Sequence, residues 1–404
     1  MKRLPTALAT VATALVLIAS AVPTTVAQTG RWIAAWGTAQ ETYGTTVLTD
    51  RTVRMFARVS IGGQAVRVRL DNTFSPVPVT FGSVYVGQQL VKRSGDSASR
   101  GPRLLPGTNR RVRFNGSQTV TIPAGGSVTS DAVQMPVLRG QDLGVSLYVP
   151  DDNVRPSSHS AAQTRSYMTA NAAGDFSADE SSSPFTSSTT TMFWLKGIDV
   201  LSSTSRGSVV AFGDSITDGT CSTFDGHDRW VDWLAVRLAS LDGTAAKAVV
   251  NEGLSSNTIT TTRTNSGVER LDRDVLSHEG ITDVILFMGT NDISRGVSRT
   301  QVIAGMQDIV NRVRAEGLRI FGATILPRPD TGSWSAAKTQ VRNEVNQWIK
   351  TGGAFDGVFD FDKAVRDPAH VNLLYPPYNC DDIHPSPLGY YEMATKAVSL
   401  TLIR

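Results

Sequence analysis

Residues 209–219 read V-V-A-F-G-D-S-I-T-D-G, and the fold of the whole chain turns on them. The first four, Val209 to Phe212, are apolar, which suits a short strand buried in a parallel sheet. Gly213 and Asp214 break the run, and Ser215 follows at once. A nucleophile is well served there. The strand end is rigid, the turn exposes the side chain at the carboxyl edge of the sheet, and a helix starting at the turn offers its first free N–H groups to whatever is attacked. A serine in this place also serves as a plain helix cap, so the stretch alone leaves both readings open.

From Arg206 onward the rhythm is strand, helix, strand. Short apolar runs begin near Val209, Ala248, Val284, Ile320 and Val358, and residues 232–241, 301–313 and 335–350 carry apolar positions at helical spacing. This alternation predicts an α/β fold, a doubly wound parallel sheet with right-handed crossovers, whose site lies beyond the strand carboxyl ends. Upstream, residues 31–200 are mostly strand-like. Residues 54–58, 65–70, 119–122 and 143–149 alternate or are β-branched, and Gly62-Gly63, Asn115-Gly116 and Gly125-Gly126 supply turns between runs. An antiparallel β-sandwich or jelly-roll-like domain is expected there. Residues 171–191, rich in Ser, Thr, Ala and Asp, read as an exposed loop or linker, and 192–200 as the last strand of that domain. Arg67 and Arg69 share one strand face and read as a solvated outer surface, with a substrate-facing patch as the alternative. The division expected is 28–205 for a β-sandwich-like accessory domain and 206–404 for a catalytic one.

Three later stretches give Ser215 its context. Residues 247–253 read K-A-V-V-N-E-G, residues 281–292 end in G-T-N-D, and C-D-D-I-H-P occupies 380–385. Together with G-D-S these blocks resemble the SGNH hydrolases of the GDSL esterase/lipase superfamily, in order and over about two hundred residues. The resemblance implies a flavodoxin-like sheet and a serine esterase. It implies that Ser215 attacks the ester carbonyl, that His384 takes and returns the proton, and that Asp381 holds the imidazole, with Asp382 as the rival acid. It further implies an oxyanion hole built from the N–H groups of Ser215 and Gly253 and the amide of Asn291. Of the five histidines, only His384 has an acid three residues before it and a proline after it. Asn291 could otherwise be a turn residue. Asp214, Asp218 and Asp292 read as loop-fixing neighbours, and Arg229 and Trp230 as pocket-entrance or structural residues.

Composition narrows the remaining classes. The net charge is only +3 with no long basic run, which gives nucleic-acid binding little support. M-K-R, an apolar run over 7–22 and T-V-A before Gln28 describe a signal peptide cut after Ala27. The run contains Thr10, Thr13 and Ser20 and ends in Pro23, so it makes a poor membrane span. An exported monomer is expected. Cys221 and Cys380 are the only cysteines, six residues after Ser215 and four before His384. In an oxidising compartment they are expected to pair across the site if the Ser, His and Asp assemble. No cofactor or metal is expected, because a metal-dependent phosphoesterase would call for more histidines in motifs. A non-catalytic carbohydrate-binding or surface protein is the other class weighed. The substrate expected is a small ester or a polysaccharide, with short acyl groups, acetyl above all, on carbohydrate. A lipase, lysophospholipase or aryl esterase is the alternative.

Overall fold

A computed structural model of the chain describes Met1 and residues 30–90, 101–241 and 246–403. Apart from Met1, the leader expected over 1–27 lies outside the described residues. The first part of the chain is antiparallel. Its longer strands are β1 (Arg31–Gly37), β2 (Arg51–Arg58), β3 (Gly63–Asp71), β4 (Ser83–Gln88), β5 (Val133–Val137), β6 (Asp142–Val149), β7 (Ser166–Met168) and β8 (Leu195–Ser202). One sheet runs β1-β8-β3-β5 and the other β7-β2-β6-β4, with shorter strands at the margins. Alternation decides which side chains meet between them. Val53, Met55 and Ala57 of β2 share one core with Val66, Val68 and Leu70 of β3 and Ile198 and Val200 of β8. Asn115 and Gly116 both take left-handed φ, 50° and 80°, as a tight two-residue hairpin turn requires.

Residues 171–191 are largely a loop, as their composition suggests, but not a linker. They add a short strand, Ser187–Thr189, beside β7. They also cover the fully buried Arg54. Its guanidinium donates to Ser146 Oγ, Pro102 O and Asp179 O and lies over the Phe185 ring. A buried cation needs such acceptors, and the polar loop supplies part of them.

Between Ser202 and Ser208 the sheet type changes. β9 (Ser208–Gly213), α1 (Ser215–Asp218), α2 (Trp230–Ala239), β10 (Ala248–Gly253), β11 (Ile281–Phe287), α3 (Thr290–Ser294), α4 (Arg299–Ala315), β12 (Arg319–Ala323), α5 (Ala336–Thr351), β13 (Gly357–Phe359) and α6 (Pro387–Glu392) follow in turn. The five strands are parallel in the order β10-β9-β11-β12-β13. Each carries one of the expected apolar runs. Both faces are covered. Val210, Phe212 and Val284 pack with Val302, Met306 and Val310 of α4 and Val345 of α5, while Val209, Ala211 and Phe287 pack with Trp230, Leu234 and Leu238 of α2. This is the doubly wound sheet that the sequence predicts.

The two parts are joined along β10, the edge strand of the parallel sheet. β1 lies against it. The Ser60 hydroxyl accepts from Val249 N–H at 2.9 Å and stands 2.6 Å from Ala35 O and 3.1 Å from Val249 O. Ala34 N–H donates to Glu279 O at 2.8 Å, and Ser208 Oγ donates to Ala34 O at 2.7 Å. Arg69 also points into this junction, so its side of β3 is not a solvated face. Its Nη2 donates to Ser277 O at 2.9 Å, and its Nη1 lies 3.3 Å from His278 Nδ1. Arg67 lies over the Trp32 ring, 4.0 Å from the centroid. With Nδ1 accepting from Arg69, His278 donates from Nε2 to Glu252 Oε1 at 2.7 Å. Burial, with Arg69 and Lys196 close by, pushes His278 down to about 3, so it is neutral.

Ser60→Ala is expected to leave a buried Val249 N–H unpaired and to destabilise the protein by about 1–3 kcal/mol. A urea titration should show a lower midpoint at an unchanged m-value. An unchanged midpoint would mean that the hydroxyl does not hold the junction.

Candidate active site

Ser215 is the first residue of α1, directly beyond β9. Asp214 caps the helix, its carboxylate accepting from Ile216 N–H at 3.0 Å. Burial pushes the Asp214 carboxyl up to about 7, against the pull of that amide. Gly219 ends the turn at φ 111°, a left-handed value that favours glycine. The Ser215 N–H is at a position where a helix has no internal acceptor to offer it. Ser215 is 8% exposed, so little of it is open to solvent.

His384 comes from the far end of the chain, in the loop before α6. Its Nε2 lies 2.8 Å from Ser215 Oγ, and its Nδ1 lies 2.8 Å from Asp381 Oδ2 and 3.1 Å from Oδ1. The Asp381 carboxylate also accepts from the backbone N–H of His384 at 2.8 Å and of Ile383 at 3.1 Å. Burial raises this carboxyl, but the imidazole and the two amides outweigh it and hold Asp381 below the usual carboxylate range. Asp382 faces elsewhere. It takes φ 69°, its carboxylate accepts from Asn379 Nδ2 at 2.8 Å and its N–H donates to Asn379 Oδ1 at 2.8 Å. The structure therefore lines up Ser215, His384 and Asp381 and leaves Asp382 out. Such a line can pass a proton from a hydroxyl to an imidazole held in one tautomer.

The expected oxyanion donors do not all converge. Asn291, at the start of α3, gives one amide proton to Asn257 O at 2.9 Å and keeps a second. The Gly253 N–H donates to Asn251 Oδ1 at 2.9 Å, so it is already engaged and is not the free donor that the resemblance implies. The glycine is needed for another reason. A Cβ there would lie 2.1 Å from Asp218 N and 2.5 Å from Asp218 Cα, so α1 packs straight onto the end of β10. The chain then turns through Ser255 and the left-handed, exposed Ser256, with Asn257 N–H donating to Leu254 O at 3.1 Å.

Several neighbours brace this arrangement. Asp292 accepts from Ile259 N–H, Thr260 N–H and Thr260 Oγ1 at 2.9, 2.9 and 2.7 Å and pins the loop after β10. Asp218 has a different role from simple backbone capping, binding His159 Nε2 at 3.1 Å and Ser255 Oγ at 2.9 Å. Arg229 pairs with Asp232 and Trp230 is fully buried, so both are structural. Three residues escape the sequence reading. Arg270, fully buried, donates to Gly213 O and Glu252 O at 2.8 and 3.0 Å and so ties the ends of β9 and β10 together. Tyr390 donates to Thr220 O at 2.6 Å and clamps α6 to the nucleophile loop. Arg328, beyond β12, lies over Trp334 with the charges of Asp214 and Asp381 near it. Its place just past the fourth parallel strand, at the carboxyl edge, was the available signal for it.

Cys221 and Cys380 are bonded to each other, 159 residues apart in sequence. They join the loop after Ser215 to the loop before His384. In the chain-entropy view, closing so long a loop contributes up to about 5 kcal/mol. Cys221, Asp381 and His384 bring potential metal-ligand atoms within 4.8 Å of one another. The Cys221 sulfur is committed to Cys380 and offers no thiolate, which leaves one imidazole and one carboxylate. Among the described residues no helix is long and apolar enough to cross a membrane.

Residues 211–391 match the GDSL-like Lipase/Acylhydrolase family model. Solved structures similar to the chain include a candidate lipolytic protein of the G-D-S-L family from Desulfitobacterium hafniense DCB-2, 24% identical over 46% of this chain and 95% of that one, with a TM-score of 0.37. TesA is 22% identical over 46% and 93% of the two chains, with a TM-score of 0.38. A catalytic mutant of Axe2, an acetylxylan esterase from Geobacillus stearothermophilus, is 19% identical over 46% and 90%, with a TM-score of 0.36. No curated protein matches the chain.

Asp381→Asn is expected to lower kcat on the order of 10⁴-fold, because the amide cannot hold the imidazole in the same tautomer and charge state. Asp382→Asn keeps the contact to Asn379 and should stay within about threefold of the parent, as a surface change does. Steady-state rates on one ester decide between the two carboxylates; equal losses would mean that the turn, not the Asp381 charge, is what matters.

Proposed function

The C-terminal part of the chain, residues 211–391, belongs to the GDSL-like lipase/acylhydrolase family, and from that premise we propose that Ser215 hydrolyses carboxylic esters through an acyl-enzyme. The observation that carries this reading is the unbroken line from Ser215 Oγ through His384 to Asp381, with both contacts at 2.8 Å. Ser215 Oγ attacks the carbonyl carbon as its proton passes to His384 Nε2. Asp381 stabilises the imidazolium through Nδ1–H. The oxygen that becomes negative is met by the Ser215 N–H and the second Asn291 amide proton, two donors in place of the three that the resemblance implies. Collapse expels the alcohol, which takes the proton back from His384. Water then attacks the acyl group by the same route, and the acid leaves.

The substrate proposed is a short acyl group, acetyl above all, on a carbohydrate. A polar cleft of about 350 Å³ supports it, with Glu41, Thr42 and Ser160 of the antiparallel part on one side and Leu254, Asn257 and Arg263 on the other. Asn257, which lines the cleft, is also the residue whose carbonyl receives Asn291, and this links the cleft to the proposed oxyanion donor. Closely spaced donors and acceptors of this kind suit hydroxyl groups better than an acyl chain. An apolar cavity of about 130 Å³ lies among Trp36, Val231, Ala235, Val236 and Val249; neither Ser215 nor His384 lines it or the polar cleft, and of the two only the cleft includes Asn257. The antiparallel part, taken as an accessory domain ending near Ser205, thus forms one wall of the substrate cleft. Export is proposed from the leader and from the cysteine pair, which an oxidising compartment preserves.

Ser215→Ala should lower kcat on the order of 10⁶-fold. In a series of p-nitrophenyl esters, kcat/KM should peak at two to four acyl carbons, and acetate should be released from acetylated polysaccharide. Residual turnover near the parental rate in a folded Ser215→Ala protein would end the serine mechanism. A peak at eight carbons or more, with activation at a lipid surface, would replace the carbohydrate reading with the lipase one.

A further inference from the structure

We propose that His159, a residue of the antiparallel part, is a positioning residue for the reaction at Ser215, acting as a buried cation that holds Asp218 at the end of the nucleophile helix. The proposal rests on Ser215 as nucleophile. His159 is 1% exposed and Asp218 3%, so water screens neither of them. The imidazole is satisfied at both ends, with Nδ1 2.8 Å from Ala39 O and Nε2 3.1 Å from Asp218 Oδ1. A carbonyl and a carboxylate oxygen are both acceptors. Two acceptors on the two ring nitrogens call for two N–H donors, which only the imidazolium has. Burial pushes His159 down, but Asp218, followed by Glu41 and the Ala39 carbonyl, carries it up to about 9.

Asp218 is a junction. It closes α1, three residues after Ser215, and its Oδ2 accepts from Ser255 Oγ at 2.9 Å. Ser255 opens the turn whose end, Asn257, receives Asn291. A displacement of Asp218 therefore moves the nucleophile and the Asn291 amide together. Without its cation, Asp218 would be a buried carboxylate short of a partner, and the cheapest relief is to move towards water. From the β10 side α1 is held by the close packing of Gly253 under Asp218 N and by Asn251 Nδ2, which donates to Thr217 O at 2.8 Å, and neither contact reaches the Asp218 carboxylate.

The sign of the pH dependence follows. A histidine raised from its ordinary value is charged, and contributes fully, below about 6.5. Its contribution is lost as pH rises through about 9. The charged groups facing it are Asp218 on α1, Glu41 beside β1, Glu252 on β10 and Arg229, whose Nη1 lies 3.5 Å from Asp218 O. Glu252 is raised well above its ordinary range by burial, Arg229 stays charged beside Asp232, and burial pushes Tyr390, also near Asp218, well above the range in which it would ionise alongside His159.

The test compares the full-length protein with His159→Gln and Asp218→Asn, using acetate release from phenyl acetate followed by pH-stat. The parent should show an alkaline limb in kcat near pH 9. His159→Gln should lose kcat on the order of 10²-fold, the loss typical of a small misplacement of reacting groups. KM should stay within about twofold, and the limb should vanish. Asp218→Asn should lose the same limb. A parental profile flat to pH 10, or a His159→Gln protein that keeps both the parental kcat and the limb, overturns the proposal. Should His159→Gln fail to fold, imidazole ¹⁵N spectra of the parent decide the question. At pH 8 His159 should carry two N–H protons, and a neutral ring there refutes it. Activity that survives Ser215→Ala would instead defeat the serine reading, leaving the spectra to judge the ion pair separately.

Discussion

The open edge of the parallel sheet is the constraint from which the rest of this architecture follows. An edge strand presents a row of backbone groups that must be paired, covered or left to water. β10 is such a strand, and it carries Asn251, Gly253 and the loop that reaches Asn291. Its outer groups are met by a side chain, the Ser60 hydroxyl at Val249, and not by another strand. The antiparallel part therefore does more than hang beside the hydrolase. It fixes the strand on which α1 rests, and the placement of Ser215 depends on that strand through the bare Cα of Gly253.

Charge at the junction sets how the two parts meet. Lys196 of β8 lies 3.3 Å from Asp71 of β3 and 4.0 Å from Asp274. Asp274 also receives Arg270 at 3.3 Å and Arg273 at 2.6 Å. Nearly all of these side chains are buried. Such clusters add little net stability, since desolvation offsets much of the attraction, but losing one member strands the others. Their effect here is on register. If β1 slid along β10, Lys196 would leave Asp274 and Ser60 would leave Val249 at the same step. Docking is thus held by directional contacts as well as by apolar packing.

What was legible in the sequence is what is local. The five parallel strands announce themselves as apolar runs, and Asp381 and His384 share one turn, so their pairing needs no knowledge of the rest of the chain. The choice between Asp381 and Asp382 lay outside that reach, because it hangs on one backbone angle that turns Asp382 towards Asn379. The role of Gly253 lay outside that reach for a related reason. A glycine required for close packing and one required for an exposed amide look identical in sequence, and only the contacts with Asp218 and Asn251 separate them. Arg69 and His159 lie far from their partners along the chain, 209 residues from His278 and 59 from Asp218, and nothing in their surroundings marks them. Alternation along β3 reports which face a side chain takes, not whether water or another sheet covers it.

The bond between Cys221 and Cys380 has one further consequence, for a chain exposed to proteases. Any single cut between those two positions would divide the polypeptide into a piece bearing Ser215 and a piece bearing His384. The sulfurs would still join the two fragments within a few residues of both groups. A nicked molecule can therefore keep its reacting atoms on neighbouring tethers and run as one species until a reductant separates it. Surface loops across the middle of the hydrolase, those flanking α4 and α5 included, are free to be clipped without the nucleophile and its base drifting apart.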